Sequence, residues 1–80
     1  MTEVVLYLAS GCHLCERARG VVGELQQELG FELREIDITG DPELEAVYRE
    51  WLPVVEIDGE RAFVFRLEES DFRRRIDRER

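Results

Sequence analysis

The sequence contains no lysine and no asparagine, and all 11 of its basic residues are arginine. That bias fits a GC-rich genome or selection for heat resistance through ion pairs and loss of labile amides; it assigns no chemistry. Positive charge is in deficit as well. With 19 acidic residues the chain carries a formal charge of −8, which argues against nucleic acid as a partner, because phosphate must be met by a positive surface. The local exception is "RRRIDRER" at the end of the chain, preceded by Glu68, Glu69 and Asp71. It reads as a helix with acids in its first turn and bases in its last, matching the helix dipole. No apolar run approaches the roughly 20 residues of a membrane span. No basic start leads into an apolar run and a small-residue cleavage site. A cytoplasmic protein without membrane contact is expected. Cysteine is scarce too: two residues cannot build the disulfide framework of a secreted miniprotein.

What is present suffices for one domain, residues 1–80, with a single core. "EVVLYLA" is a short apolar run of β-formers and predicts a buried strand. Leu14, Ala18, Val21, Val22, Leu25 and Leu29 recur at spacings of three and four, predicting one helix face, with Gly30 as its C-cap. Gly20 and Gly23 cost this helix about 1 kcal/mol each against alanine, either offset by close packing or tolerated. "FELREIDI" predicts a second strand whose alternation slips between Leu33 and Ile36, implying a bulge or partly two-sided burial. "GDPELEAVYREW" predicts a helix with Asp41 as N-cap, Pro42 at its first position, and Leu44, Val47, Tyr48 and Trp51 on one face. "PVVEIDGERAFVF" predicts a hairpin turning at Asp58-Gly59, the dipeptide that a type I′ turn favours. Pro53 stands at its start, where a missing N–H does least harm. A last helix from about Glu68 should face Phe72 and Ile76 inward. The order β-α-β-α-β-β-α is that of an α/β fold: a four-stranded mixed sheet flanked by three helices, its first two strands parallel and its last two an antiparallel hairpin.

The two cysteines, Cys12 and Cys15, fall in "ASGCHLCERA", between the first strand and the first helix. A helix N-terminus offers unsatisfied N–H groups and partial positive charge, so a thiolate on Cys12 would be stabilised. If its pKa falls from about 8.5 to about 6.5, the thiolate fraction at pH 7 rises roughly 25-fold. Nucleophilicity falls by about 8-fold over the same shift, leaving about a threefold net gain. The lowered pKa therefore matters more for making Cys12 a good leaving group and for setting its potential. His13, if protonated, would favour the thiolate further; otherwise it is a solvent-facing loop residue. A structural zinc site needs four ligands, and Cys12, His13 and Cys15 supply at most three. A metal or iron–sulfur carrier would need a dimer or an external thiol to complete the set. A structural disulfide across two residues would staple almost nothing.

Taken together, "VVLYLASGCHLCERA", "FELREIDI" and "YREWLPVVEIDGE" resemble the glutaredoxin-like members of the thioredoxin superfamily over nearly the whole chain. The resemblance implies the thioredoxin fold and a small dithiol–disulfide oxidoreductase. It makes Cys12 the nucleophile that forms a mixed disulfide and Cys15 the resolving cysteine. It makes Leu52-Pro53 a cis peptide beside the pair, with His13 and Pro53 modulating the site. The backbone of Leu52 would then pair with substrate like an added strand, with Trp51 close by. Disulfide-containing proteins or small thiols would be the substrates, and a separate reductase or thiol the electron donor. The chain is expected to be a monomer with no bound cofactor. It departs from the family at four places. His13 replaces the proline that usually follows the first cysteine. Ser10 and Gly11 stand where a lysine is common. "FVFRLEESD", with Phe65, Arg66 and Leu67, replaces the Gly-Gly pair that holds glutathione, so glutathione is a doubtful cofactor. "VVLYL" carries no carboxylate to deprotonate Cys15. Two other classes of function stay open on the residues alone: a metal or cluster carrier, and a non-catalytic binding module.

Overall fold

The computed structural model describes residues 2–79. Strand β1 spans Glu3–Leu8, helix α1 His13–Leu29, strand β2 Glu32–Asp37 and helix α2 Pro42–Tyr48. A 3-10 turn, Arg49–Trp51, leads to β3 (Val54–Ile57), β4 (Glu60–Val64) and helix α3 (Glu69–Glu79). The sheet order is β2-β1-β3-β4, with β1 parallel to β2 and antiparallel to β3, and β3 antiparallel to β4. The mixed four-stranded sheet with three helices is the architecture expected from the apolar periodicities.

Alternation along β1 divides the interior in two. Val4 and Leu6 point to the face covered by α1 and α3. There they join Ala18, Val22, Leu25, Phe31, Val55, Ile57, Phe72 and Ile76 in the main core. Phe72 sits at the centre of an aromatic group, its ring 5.4 Å from Phe31 and 6.0 Å from Phe63. Arg73, the next residue, grips Glu28 of α1 with both terminal nitrogens and so ties α3 to α1. This exposed pair adds little energy but fixes a register. A second cluster, Ala9, Cys15, Ile38 and Leu52, lies at the end of the sheet where β1 delivers the cysteines. Thr2 is the sole buried polar residue among those described.

Local signals hold where the chemistry is local. Gly30 closes α1 at φ 76°, its N–H bonded to the Gln26 carbonyl. Asp41 caps α2 by accepting from the N–H groups of Glu43 and Leu44. Asp58 and Gly59 both have positive φ, 50° and 85°, as a type I′ turn requires.

Several expectations are corrected. Of the two readings of β2, partly two-sided burial holds: the strand pairs with β1 in unbroken register without a bulge, and Leu33 and Ile36 face opposite sides, both half-buried, as an edge strand allows. The irregularity lies in the hairpin instead, between Val55 and Glu56, where Ala62 is left without a partner across the ladder. Leu14 is not part of the buried face of α1. At the helix's first turn it projects past the end of the sheet and is 45% exposed. Val47, within α2, and Trp51 are likewise exposed; Trp51 falls in the 3-10 turn after α2, whose tighter winding rotates it off the helix face. Open space surrounds the positions that a Cβ would take at Gly20 and Gly23, so close packing is not what these glycines provide.

Candidate active site

After β1 ends at Leu8, residues 9–11 carry the chain to α1. Thr39 anchors this loop: its hydroxyl accepts from the Ser10 N–H at 3.0 Å, and its own N–H donates to Asp37 at 2.9 Å. Both Thr39 donors hold the Asp37 carboxyl below the usual carboxylate range. Gly11 has φ 73°, a conformation that side chains resist, and it turns the chain so that Cys12 becomes the N-cap of α1. Cys12 keeps extended backbone angles, and its Sγ accepts the Cys15 N–H at 3.2 Å. A sulfur in that position receives an N–H dipole and the helix field together, both of which favour the thiolate. Cys15 lies one turn inside and is 2% exposed, whereas Cys12 is half-buried. The two stand at disulfide-bonding distance, with Cα atoms 5.2 Å apart. His13 is exposed and makes no hydrogen bond or ion pair among the described residues.

The asymmetry has a measurable consequence. With each cysteine retained singly, Cys12 (in Cys15→Ser) should react with iodoacetamide at pH 6 about tenfold faster than Cys15 (in Cys12→Ser), because its sulfur is accessible and meets a helix N–H while Cys15 is buried. Faster alkylation of Cys15 at that pH would reverse the assignment.

The Leu52-Pro53 peptide is cis. Leu52 packs in the cluster that holds Cys15, and Pro53 is buried at the entry to β3. Trp51 stays exposed, its ring 5.7 Å from that of Phe65. The Phe65 N–H reaches both the Pro53 carbonyl, at 3.0 Å, and the Trp51 carbonyl, at 3.3 Å. The end of β4 is thereby fastened to the proline loop.

Near Cys15 the fold joins Tyr48 of the expected helix face to two residues that the sequence does not single out, Tyr7 and Glu56. Tyr7 of β1 and Tyr48 of α2 stack at 3.9 Å, both ring systems packing against the cluster of Cys15. Their hydroxyls donate to the Glu56 carboxylate at 3.4 and 3.1 Å, and Arg61 lies over the Tyr48 ring. The Tyr7 hydroxyl, partial burial and the Glu56 charge push the Tyr48 phenol well above its ordinary ionisation range. Glu56 thus brings a carboxylate from β3 to the two tyrosines. No short sequence pattern signals it, since the three residues meet only on folding. Among the described residues no three His, Cys, Asp or Glu side chains gather as a metal site, and no helix is long and apolar enough to cross a membrane.

A cysteine pair at a helix N-terminus, its buried member packed with the leucine before Pro53, in this β-α-β-α-β-β-α frame is that of a thioredoxin-fold protein. Comparison with known proteins narrows the class. The chain belongs to the family described as "Glutaredoxin-like domain (DUF836)", which it matches over residues 3–80. Uncharacterized protein Rv0508 of Mycobacterium tuberculosis is 36% identical over 81 residues, covering 95% of this chain and 84% of that protein. Among solved structures, protein Ne2328 from Nitrosomonas europaea is 28% identical, with a TM-score of 0.75 over 92% of this chain and 89% of its own. Fasciola hepatica thioredoxin shares the fold at a TM-score of 0.69, with 24% identity over 99% of this chain and 81% of its own.

Proposed function

We propose that this chain is a cytoplasmic, monomeric dithiol–disulfide oxidoreductase that holds no resident cofactor. The observation that carries this reading is the inequality of the two sulfurs: Cys12 is accessible and accepts a helix N-terminal N–H, while Cys15 is buried one turn away. In the reaction, the Cys12 thiolate attacks one sulfur of a target disulfide. A Cys12–target disulfide forms, and the other target sulfur leaves as a thiolate. Cys15, on losing its proton, attacks Cys12 Sγ. The mixed disulfide breaks, the second target sulfur leaves as a thiolate, and Cys12–Cys15 closes. Two electrons have passed to the target. A separate reductase or thiol returns the pair to the dithiol. The buried Leu52, the cis Pro53 after it and the exposed Trp51 flank this chemistry and would receive a substrate segment.

Glutathione is disfavoured as the donor. Phe65, Arg66 and Leu67 stand where the resemblance implies the paired glycines that hold glutathione. A coupled disulfide-reduction assay tests the donor assignment and the enzyme reading. With a thioredoxin-type reductase the protein should turn over at least as fast as with millimolar glutathione. Robust glutathione-dependent turnover with no reductase-dependent activity would overturn the donor assignment, and absence of both would overturn the enzyme reading.

A further inference from the structure

Residues 64–66 form a γ-turn: the Arg66 N–H donates to the Val64 carbonyl at 2.6 Å, and Phe65 between them has φ 64°. The positive-φ form of this turn is rare and strained, most of all for a bulky residue. Strain of this kind persists where the surroundings impose it, and it concentrates at ligand clamps. Here the imposing contacts are the bonds from the Phe65 N–H to the proline loop. Core burial does not explain the conformation, because the Phe65 side chain remains 42% exposed. What the turn achieves is to aim an aromatic ring beside Trp51 and over a groove of about 300 Å³. Leu14, Ala18, Phe65 and Leu67 give the groove its apolar lining; Arg17 and Arg66 flank it, with Glu68 near them. Leu14, in the groove's lining, stands next to Cys15 in the chain, at the first turn of α1. Arg19, Arg49, Arg73, Arg74 and Arg75 are all paired with acids. Arg17, Arg34, Arg61, Arg66 and Arg78 make no ion pair among the described residues, and of these Arg17 and Arg66 line the groove.

We propose, on the footing of the oxidoreductase reading, that this groove selects protein substrates in which an apolar and an acidic residue lie within a few positions of the disulfide-bonded cysteine. The apolar side chain enters between Leu14 and Phe65, and the carboxylate meets Arg17 and Arg66. An extended chain advances about 3.3 Å per residue, so two or three residues beyond the substrate cysteine cover the groove's approach. Phe65 is the specificity-determining residue: its exposed ring lines the groove together with Leu14.

The test isolates the attack step in the Cys15→Ser protein. Two peptides, acetyl-Cys-Ala-Leu-Glu-amide and acetyl-Cys-Ala-Ser-Lys-amide, each carry a 2-thiopyridyl group on the cysteine sulfur. Attack by Cys12 releases thiopyridone and leaves the peptide disulfide-bonded to the protein. The Leu-Glu peptide should react at least about tenfold faster, equivalent to about 1.4 kcal/mol. Adding Phe65→Gly, or separately Arg66→Glu, should bring the ratio of the two rates to within about twofold. Phe65→Gly relieves a positive φ, and Arg66→Glu lies on the surface, so each keeps the other's result interpretable. Equal rates for the two peptides, or a preference that survives both substitutions, would overturn the groove assignment. The same thiopyridyl group on N-acetylcysteine amide separates the levels. If Cys12 attacks it no faster than free dithiothreitol does, the oxidoreductase reading itself has failed, and the groove proposal falls with it.

Discussion

Replacing Cys12 with serine is expected to lower disulfide reduction by about a thousandfold or more, because a serine hydroxyl at neutral pH holds almost no alkoxide to replace a thiolate. Cys15→Ser should behave differently. Its Cys12 keeps the N-cap position, and with it the stabilised thiolate, so the first attack proceeds. The step that needs Cys15 cannot follow, and the mixed disulfide accumulates. Intact-protein mass spectrometry after incubation with a disulfide peptide should show one peptide added to nearly every Cys15→Ser molecule and none to Cys12→Ser. The opposite pattern would exchange the roles of the two cysteines. The geometry favours the stated one: the Sγ of Cys12 meets a helix N–H at the surface, and Cys15 is enclosed with Ala9, Ile38 and Leu52.

The second large effect concerns the frame that holds this site. Phe72 is fully buried and touches aromatic rings from two sides, Phe31 just before β2 and Phe63 on β4. Phe72→Ala should cost about 3–5 kcal/mol, the range for removing a core aromatic and leaving a cavity. At 0.05–0.15 kcal/mol per residue the whole domain holds about 4–12 kcal/mol, so the variant stands near the edge of unfolding. Urea denaturation followed by circular dichroism would give the value. A loss under about 1 kcal/mol would mean that α3 is not anchored through this side chain.

The elements of the fold were legible because their signals are local. Asp58-Gly59 carries its own turn geometry, Gly30 its own cap, and Asp41-Pro42 its own helix start. The cysteine pair was placed at the start of α1 for the same reason: the strand ending before it and the helical spacing after it are both visible in the chain. What could not be read is what apolar periodicity leaves ambiguous. Leu14 continues the spacing of Ala18 and Leu25, yet it lies one turn beyond the sheet that buries them. Trp51 continues the stripe of Leu44 and Tyr48 in sequence, but α2 ends and the winding tightens before it. A pattern of apolar residues does not distinguish a face turned to the core from one turned to a partner. Tyr7 and Glu56 carry no sequence signal, and Tyr48 signals only a helix face, because their association depends on the pairing of β1 with β3 and the docking of α2. Phe65 could be seen to replace a glycine, but only the backbone shows that it adopts the glycine's conformation.

The central claim, that Cys12 and Cys15 form a working two-electron couple, meets its most direct test in a redox titration. The protein is equilibrated across a series of dithiothreitol ratios, reduced to oxidised, then quenched with an alkylating agent and weighed. The prediction is one transition between a doubly alkylated and an unalkylated monomer, with the slope of a two-electron couple, about 30 mV per tenfold change in ratio. Thiols that stay reduced across the whole series, or that oxidise only by joining two chains, would contradict it.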